Sequence, residues 1–225
     1  MKRLKDALLL KQLYQLKDLD YQYIDLNLED NATNDPTSLP DTLPQLNTLM
    51  ASCHLCSISK VRQNVVVGTG SVQATIVFVG FKPTMVDSSS RNILSGSKGE
   101  MLSKIIENVL QIPRESLYIT NLIKCYPKND KTIEASEVYS CLTYLHKELE
   151  IIHPKIVVTM GWEAFHYLTQ ENITLEEVHG TIIQHEKFTL MPIYDLTHVL
   201  KNPSLKKNLY NDMLKLKEFI GRGKN

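Results

Sequence analysis

The sequence predicts an α/β protein: a three-layer α/β/α sandwich built on a central, mostly parallel four-stranded sheet. Three observations carry this expectation. Four short runs are almost continuously apolar, at residues 75–80 (TIVFVG), 117–123 (LYITNLI), 155–161 (KIVVTMG) and 188–194 (FTLMPIY). Such runs suit strands covered on both faces, whereas a half-exposed strand alternates. Segments of helical periodicity separate them, and strands alternating with helices imply right-handed crossovers in a parallel sheet. Lastly, 225 residues of which 43% are apolar make one large domain, or one domain with a small extension. No stretch approaches 18 uninterrupted apolar residues, so no membrane span and no membrane partner are expected.

In chain order, residues 2–19 place Leu4, Leu8, Tyr14 or Leu16, and Leu19 at roughly helical spacing and predict an N-terminal helix. Residues 20–44 are acidic and punctuated by proline, which reads as a connector. Residues 1–45 are therefore an appendage, whose helix is a candidate contact for a protein partner, and the body spans residues 46–225. After the first strand, residues 85–92 are short-chained and polar and read as a flexible loop. Residues 99–110 then put Leu102, Ile105, Ile106 and Val109 on one helical face, and residues 136–152 repeat the pattern with Val138, Leu142, Leu145 and Leu149. Residues 162–169 and 204–220 complete the helices. Ligands of such sheets gather at the carboxyl ends of the strands, here residues 80–84, 121–126, 161 and 195–198.

Net charge is zero, so overall charge gives no argument for nucleic acid. Its distribution is uneven: residues 21–43 hold five acidic and no basic groups, while residues 198–225 hold seven Lys or Arg against two acidic groups. A basic C-terminal helix can face phosphates or simply be solvated. All four cysteines fall into two pairs, Cys53/Cys56 in a C-x2-C spacing and Cys125/Cys141. Four soft ligands suit tetrahedral zinc or an iron–sulfur cluster, and four unbridged buried thiols are the plainer alternative. Disulfides are not expected in a chain without a secretory leader, and a cytoplasmic setting is. No nucleophile elbow, phosphate-binding G-x-x-x-x-G-K-[ST] loop or H-E-x-x-H helix is present.

These features occur in a particular order: CxxC, strand–G-x-x-P, G-x-x-G-x-x-L, TNxxKCxP, E-x-x-x-C, P-x-I-V-V-T-x-G and L-K-N-P. The order resembles the family 4 uracil-DNA glycosylases over about residues 50–220, most strongly at Thr120-Asn121-Leu122-Ile123-Lys124-Cys125-Tyr126-Pro127. The resemblance implies a uracil-DNA glycosylase-like fold and base-excision activity on DNA. It also implies a structural [4Fe–4S] cluster on Cys53, Cys56, Cys125 and Cys141, favouring iron over zinc. Base excision requires a nucleotide to be extruded, its edge read, and the departing charge stabilised.

By the same resemblance, Asn121 reads the base edge through an amide that both donates and accepts. Gly80 and Phe81 border the base, Gly96 and Gly99 allow close backbone approach, and Lys124 adds positive charge near the pocket. Leu94 stands where the family stacks a phenylalanine. Two departures concern charge. The family's G-E-A-P-G loop reads Gly80-Phe81-Lys82-Pro83-Thr84, so Phe81 replaces a carboxylate. The late H-P-A motif reads Asp195-Leu196-Thr197, so Asp195 replaces the histidine donor, and an ionised aspartate only accepts. His198 and Asp87 are the candidate substitutes for the donor and the carboxylate. Lys82 and Arg91 are candidates to meet phosphates, as are Lys201, Lys206 and Lys207, with Leu196 or Val199 filling the space left by an extruded base. A DNA glycosylase and a catalytically impaired nucleic-acid-binding or repair-accessory protein are the two function classes that follow.

Overall fold

The computed structural model describes residues 39–93, 95–113, 116–128, 131–185 and 188–222. The expected N-terminal helix with its partner contact, all but the end of the acidic connector, and Leu94 lie outside these residues.

Each apolar run forms a strand. The short β1 (Thr69–Gly70) precedes β2 (Ile76–Gly80), β3 (Leu117–Asn121) and β4 (Ile156–Met160), and the short β5 (Ile183–Gln184) precedes β6 (Thr189–Ile193). Among the described residues the sheet therefore has six strands, not four, in the order β1-β3-β2-β4-β6-β5. The four expected strands are its parallel centre. The two additions pair antiparallel at the edges. Each is two residues long, too short for any periodicity to announce it, and short edge strands discourage pairing with other chains.

The helices are α1 (Leu43–Ala51), α2 (Met85–Ser90), α3 (Gly96–Lys104, running on into a π-helical stretch Ile105–Leu110), α4 (Ala135–Ile152), α5 (Trp162–Thr169), α6 (Leu175–Val178), α7 (Leu196–Lys201) and α8 (Lys206–Arg222). They cover both faces of the sheet. Val77, Val79, Tyr118, Val157 and Leu190 point to one face and join Leu46 and Met50 of α1 with Val138 and Leu145 of α4. Their neighbours Ile76, Phe78, Ile119, Val158 and Met191 point to the other and join Leu102 of α3, Val199 of α7 and Met213 of α8. A residue such as Phe78, with no exposed surface, contributes about 1.5–3 kcal/mol through burial. This two-sided covering is the reason the strands read as unbroken apolar runs.

The polar segment expected as a flexible loop is instead α2. Thr84 and Asp87 close a capping box across its first turn, and Arg91 ends it in the left-handed region at φ 55°. Its run of serines, poor formers of helix interiors, concealed the helix from a propensity reading.

The chain leaves β2 for β3 on one side and then crosses to β4 on the other. That reversal opens a crevice between the carboxyl ends of the two flanking strands. The register aligns Asn121, Gly80, Met160 and Ile193 across this edge. Among the described residues no helix is long and apolar enough to cross a membrane.

Candidate functional site

A cavity of about 760 Å³ lies at the carboxyl edge. Its walls come from the segment after β2 (Phe81 to Met85), Lys98 of α3, Tyr126, the start of α5 (Gly161 to Glu163), α6, and Tyr194 to Lys201 around α7.

Asn121 closes β3 next to Lys98 of the cavity wall, does not itself line the cavity, and is 1% exposed. Among the described residues neither its amide nitrogen nor its amide oxygen has a hydrogen-bond partner. A buried orphan amide costs about 1–3 kcal/mol, and nearly all such groups in folded proteins are paired. Gly80, its neighbour on β2, makes room for it: a Cβ there would lie 2.3 Å from Asn121 Oδ1 and 3.4 Å from Lys98 Nζ. Gly80 therefore lets the amide and the ammonium come to the same strand end.

The opposite wall is acidic. Gly161 turns the chain from β4 into α5 at φ 100°, and a Cβ on it would lie 3.2 Å from Asp195 Cβ and 3.6 Å from Glu163 Oε2. Asp195 is the N-cap of α7, with Oδ1 accepting from the backbone N–H of Thr197 at 2.8 Å and of His198 at 3.1 Å. A side-chain oxygen that accepts from the free amides of a first turn is the usual N-cap arrangement, and an aspartate suits the positive end of a helix. His198 is exposed on α7 and borders the cavity. Phe81 also borders it, its ring stacked on Tyr167 at 6.2 Å with the planes 7° apart. Gly96, at φ 68°, and the buried Gly99 lie in the first turn of α3.

Several expected site residues have other tasks. Asp87 does not line the cavity: its Oδ2 accepts from the N–H and hydroxyl of Thr84 at 2.8 and 2.7 Å, and its Oδ1 from the N–H of Ser95 at 3.1 Å. Lys124 does not line it either. At 2% exposed, its ammonium donates to Glu148 Oε2 at 2.6 Å, to Thr120 Oγ1 at 2.7 Å and to the carbonyl of Asn121 at 2.7 Å. Glu148 also accepts from the Tyr118 hydroxyl at 3.0 Å. Burial first, and then the adjoining carboxylate, raise the Tyr118 hydroxyl far above its ordinary range. Lys124 thus anchors the backbone that carries Asn121. Leu196 and Val199 are in the core with no exposed surface, which excludes them from filling the space of an extruded base. The apolar side chain that α7 presents outward is Leu200. Lys201 borders the cavity, while Lys206 and Lys207 are exposed at the start of α8.

The cysteines do not form the [4Fe–4S] site that the resemblance implies. Among the described residues no three His, Cys, Asp or Glu side chains form a group able to hold a metal ion. Cys53, Cys56, Cys125 and Cys141 are free thiols that border a second cavity of about 20 Å³. Three of them have separate partners: Cys53 meets the Tyr144 hydroxyl, Cys125 meets Arg62, and Cys141 meets the backbone of Lys124. Burial pushes Cys125 up to about 11 and Cys141 to about 12. The paired spacing foretold only that the four sulfurs gather on one side of the sheet.

Sequence reasoning overlooked Lys98 and Glu163. Glu163 had a usable signal, two residues beyond the glycine that ends a buried strand. Lys98 had none, because its nearness to Asn121 and Gly80 exists only across the fold.

Residues 67–215 match the uracil DNA glycosylase superfamily. A type-4 uracil-DNA glycosylase of Saccharolobus solfataricus is 32% identical over 188 residues, which cover 80% of this chain and 87% of that one. The type-4 uracil-DNA glycosylase of Sulfurisphaera tokodaii is 31% identical over 79% of this chain and 84% of its own. For that of Archaeoglobus fulgidus the identity is 30%, over 81% and 95% respectively.

Proposed function

The chain belongs to the uracil DNA glycosylase superfamily, and from that premise we propose that it hydrolyses the N-glycosidic bond of uracil or another deaminated base in DNA. The observation that carries the reading is Asn121. A buried amide with both polar atoms unpaired among the described residues, next to Lys98 of the cavity wall, is matched to a ligand edge that both accepts and donates, as the Watson–Crick edge of uracil does. The same mismatch penalises a base that presents the wrong pattern.

Bond cleavage sends an electron pair to the base and leaves positive charge on the sugar. Phe81 is packed on Tyr167 and Asp87 is engaged as a cap, so neither serves the sugar. Glu163 is the carboxylate we assign to that task, since it borders the cavity and no capping bond holds it. His198 borders the cavity from α7 and is the candidate donor in place of the histidine that Asp195 replaces. Leu200, exposed on α7, is suited to fill the gap an extruded nucleotide leaves.

Lys201, Lys206 and Lys207 form the candidate DNA-binding surface, and such contacts release counterions. Replacing Lys206 and Lys207 together by alanine is expected to weaken DNA binding and flatten the dependence of log Kd on log salt concentration by about 2 units of slope. Fluorescence anisotropy across a salt series measures this; unchanged affinity and slope rule the placement out.

One observation favours a second reading, a DNA-binding accessory without turnover. Asp195, where the resembled family has its histidine donor, is engaged in capping α7. The test is alkali-revealed strand scission on DNA containing uracil, hypoxanthine or xanthine, with enzyme in excess. Scission at one of these bases supports the glycosylase; none, with DNA bound, leaves the accessory role.

A further inference from the structure

Resting on the glycosylase reading, we propose that Lys98 is a catalytic residue that stabilises the negative charge on the departing base. It is one of the residues denoted x in the G-x-x-G-x-x-L pattern, and the pattern itself assigns it no role. Four observations converge on it. It lines the large cavity. It lies 3.4 Å from the Cβ position of Gly80, a point that is 2.3 Å from Asn121 Oδ1, so it stands beside the amide that reads the base. It makes no ion pair or hydrogen bond with any described residue, while other partly or wholly buried lysines such as Lys124 and Lys147 are paired. Finally, it sits in the first turn of α3, which holds no acidic residue and whose N-cap Ser95 makes no side-chain capping bond. A lysine there opposes the helix dipole. A cation placed against its own helix, left unpaired and turned to a cavity is suited to an anion that arrives from outside.

Charges of both signs line the cavity, Lys82, Lys98 and Lys201 with Glu163, Glu176 and Asp195, and those nearest the two glycines differ in sign. Lys98 and the positive end of α3 stand at the Asn121 side, and Glu163 and Asp195 stand at the Gly161 side. When the N-glycosidic bond breaks, both its electrons leave with the base nitrogen, and Lys98 faces that charge. The oxygen of a water bonds to the anomeric carbon, and the water's proton passes to the carboxylate side or to solvent. The base anion takes up a proton from solvent on release. A fixed charge facing a developing one needs no reorganisation as the bond breaks. Lys98 therefore supplies positive charge that Asp195 cannot.

Leaving-group acidity tests this. In single-turnover assays of the full chain on uracil in DNA, Lys98→Met is expected to lower the rate on the order of 10²–10³-fold, while Lys98→Arg, which keeps the charge, retains most of it. On DNA carrying 5-fluorouracil, whose anion needs less help, the loss in Lys98→Met is expected to be at least tenfold smaller. A Lys98→Met variant as fast as the parent, or one that loses both bases equally, overturns the inference and leaves the glycosylase reading in place. A parent chain that releases neither base overturns both.

Discussion

Asn121→Ala is expected to abolish detectable release of the base while leaving the protein as stable as before, or more so. The two halves have one cause. In the free protein the amide is buried and unpaired, so the fold bears a desolvation cost of about 1–3 kcal/mol without return. Removing the amide removes that cost, at the price of a small cavity. On the proposed reading the same amide is the group that meets the base, and losing one such contact lowers the rate on the order of 10²–10³-fold. Single-turnover scission and thermal melting, measured on one preparation, check both. A variant that loses activity together with several degrees of melting temperature would mean that Asn121 holds the strand end and does not read a base.

Lys124→Met is expected to be the most destabilising single substitution, by about 3–5 kcal/mol, because it leaves Glu148 buried and uncompensated. Glu148 has no exposed surface and Lys124 only 2%. In urea the midpoint should fall without a change in slope. Adding Glu148→Gln should recover most of the loss, since the amide oxygen still accepts from Tyr118 and Thr120 and no lone charge remains. The cycle of single and double variants isolates the pair's coupling. Because the ammonium also holds the carbonyl of Asn121 at 2.7 Å, the double variant should remain slow after its stability returns. Full recovery of the rate would show that the pair supports the fold alone and does not position the amide.

The sheet's centre and four of the helices could be read from the chain because their signals are local. TIVFVG and KIVVTMG are unbroken apolar runs, and Val138, Leu142, Leu145 and Leu149 repeat at helical spacing whatever surrounds them. The segments that escaped were the two-residue edge strands, the helices α1, α6 and α7, each of nine residues or fewer, and α2, whose capping box lay within a run of serines. The fold class, the carboxyl edge as the place for a site, and the family were thus accessible from residues near one another.

The division of tasks among polar residues was not accessible. Asn121 and Lys124 are three apart on one motif, yet one keeps an unpaired amide next to Lys98 and the other is buried against Glu148, from a helix 24 residues on. Asp87 and Asp195 are both free carboxylates by sequence, and both are helix caps in the fold. The cysteine spacing allowed a metal site, but among the described residues no three side chains come together to hold a metal ion. Lys98 gained its place beside Asn121 only because β2 and β3 align Gly80 with it. Secondary structure follows from periodicity along the chain, which the sequence carries by itself. The partner of a charge or an amide depends on which distant side chain the packing brings within about 3 Å of it, and that only the tertiary structure decides.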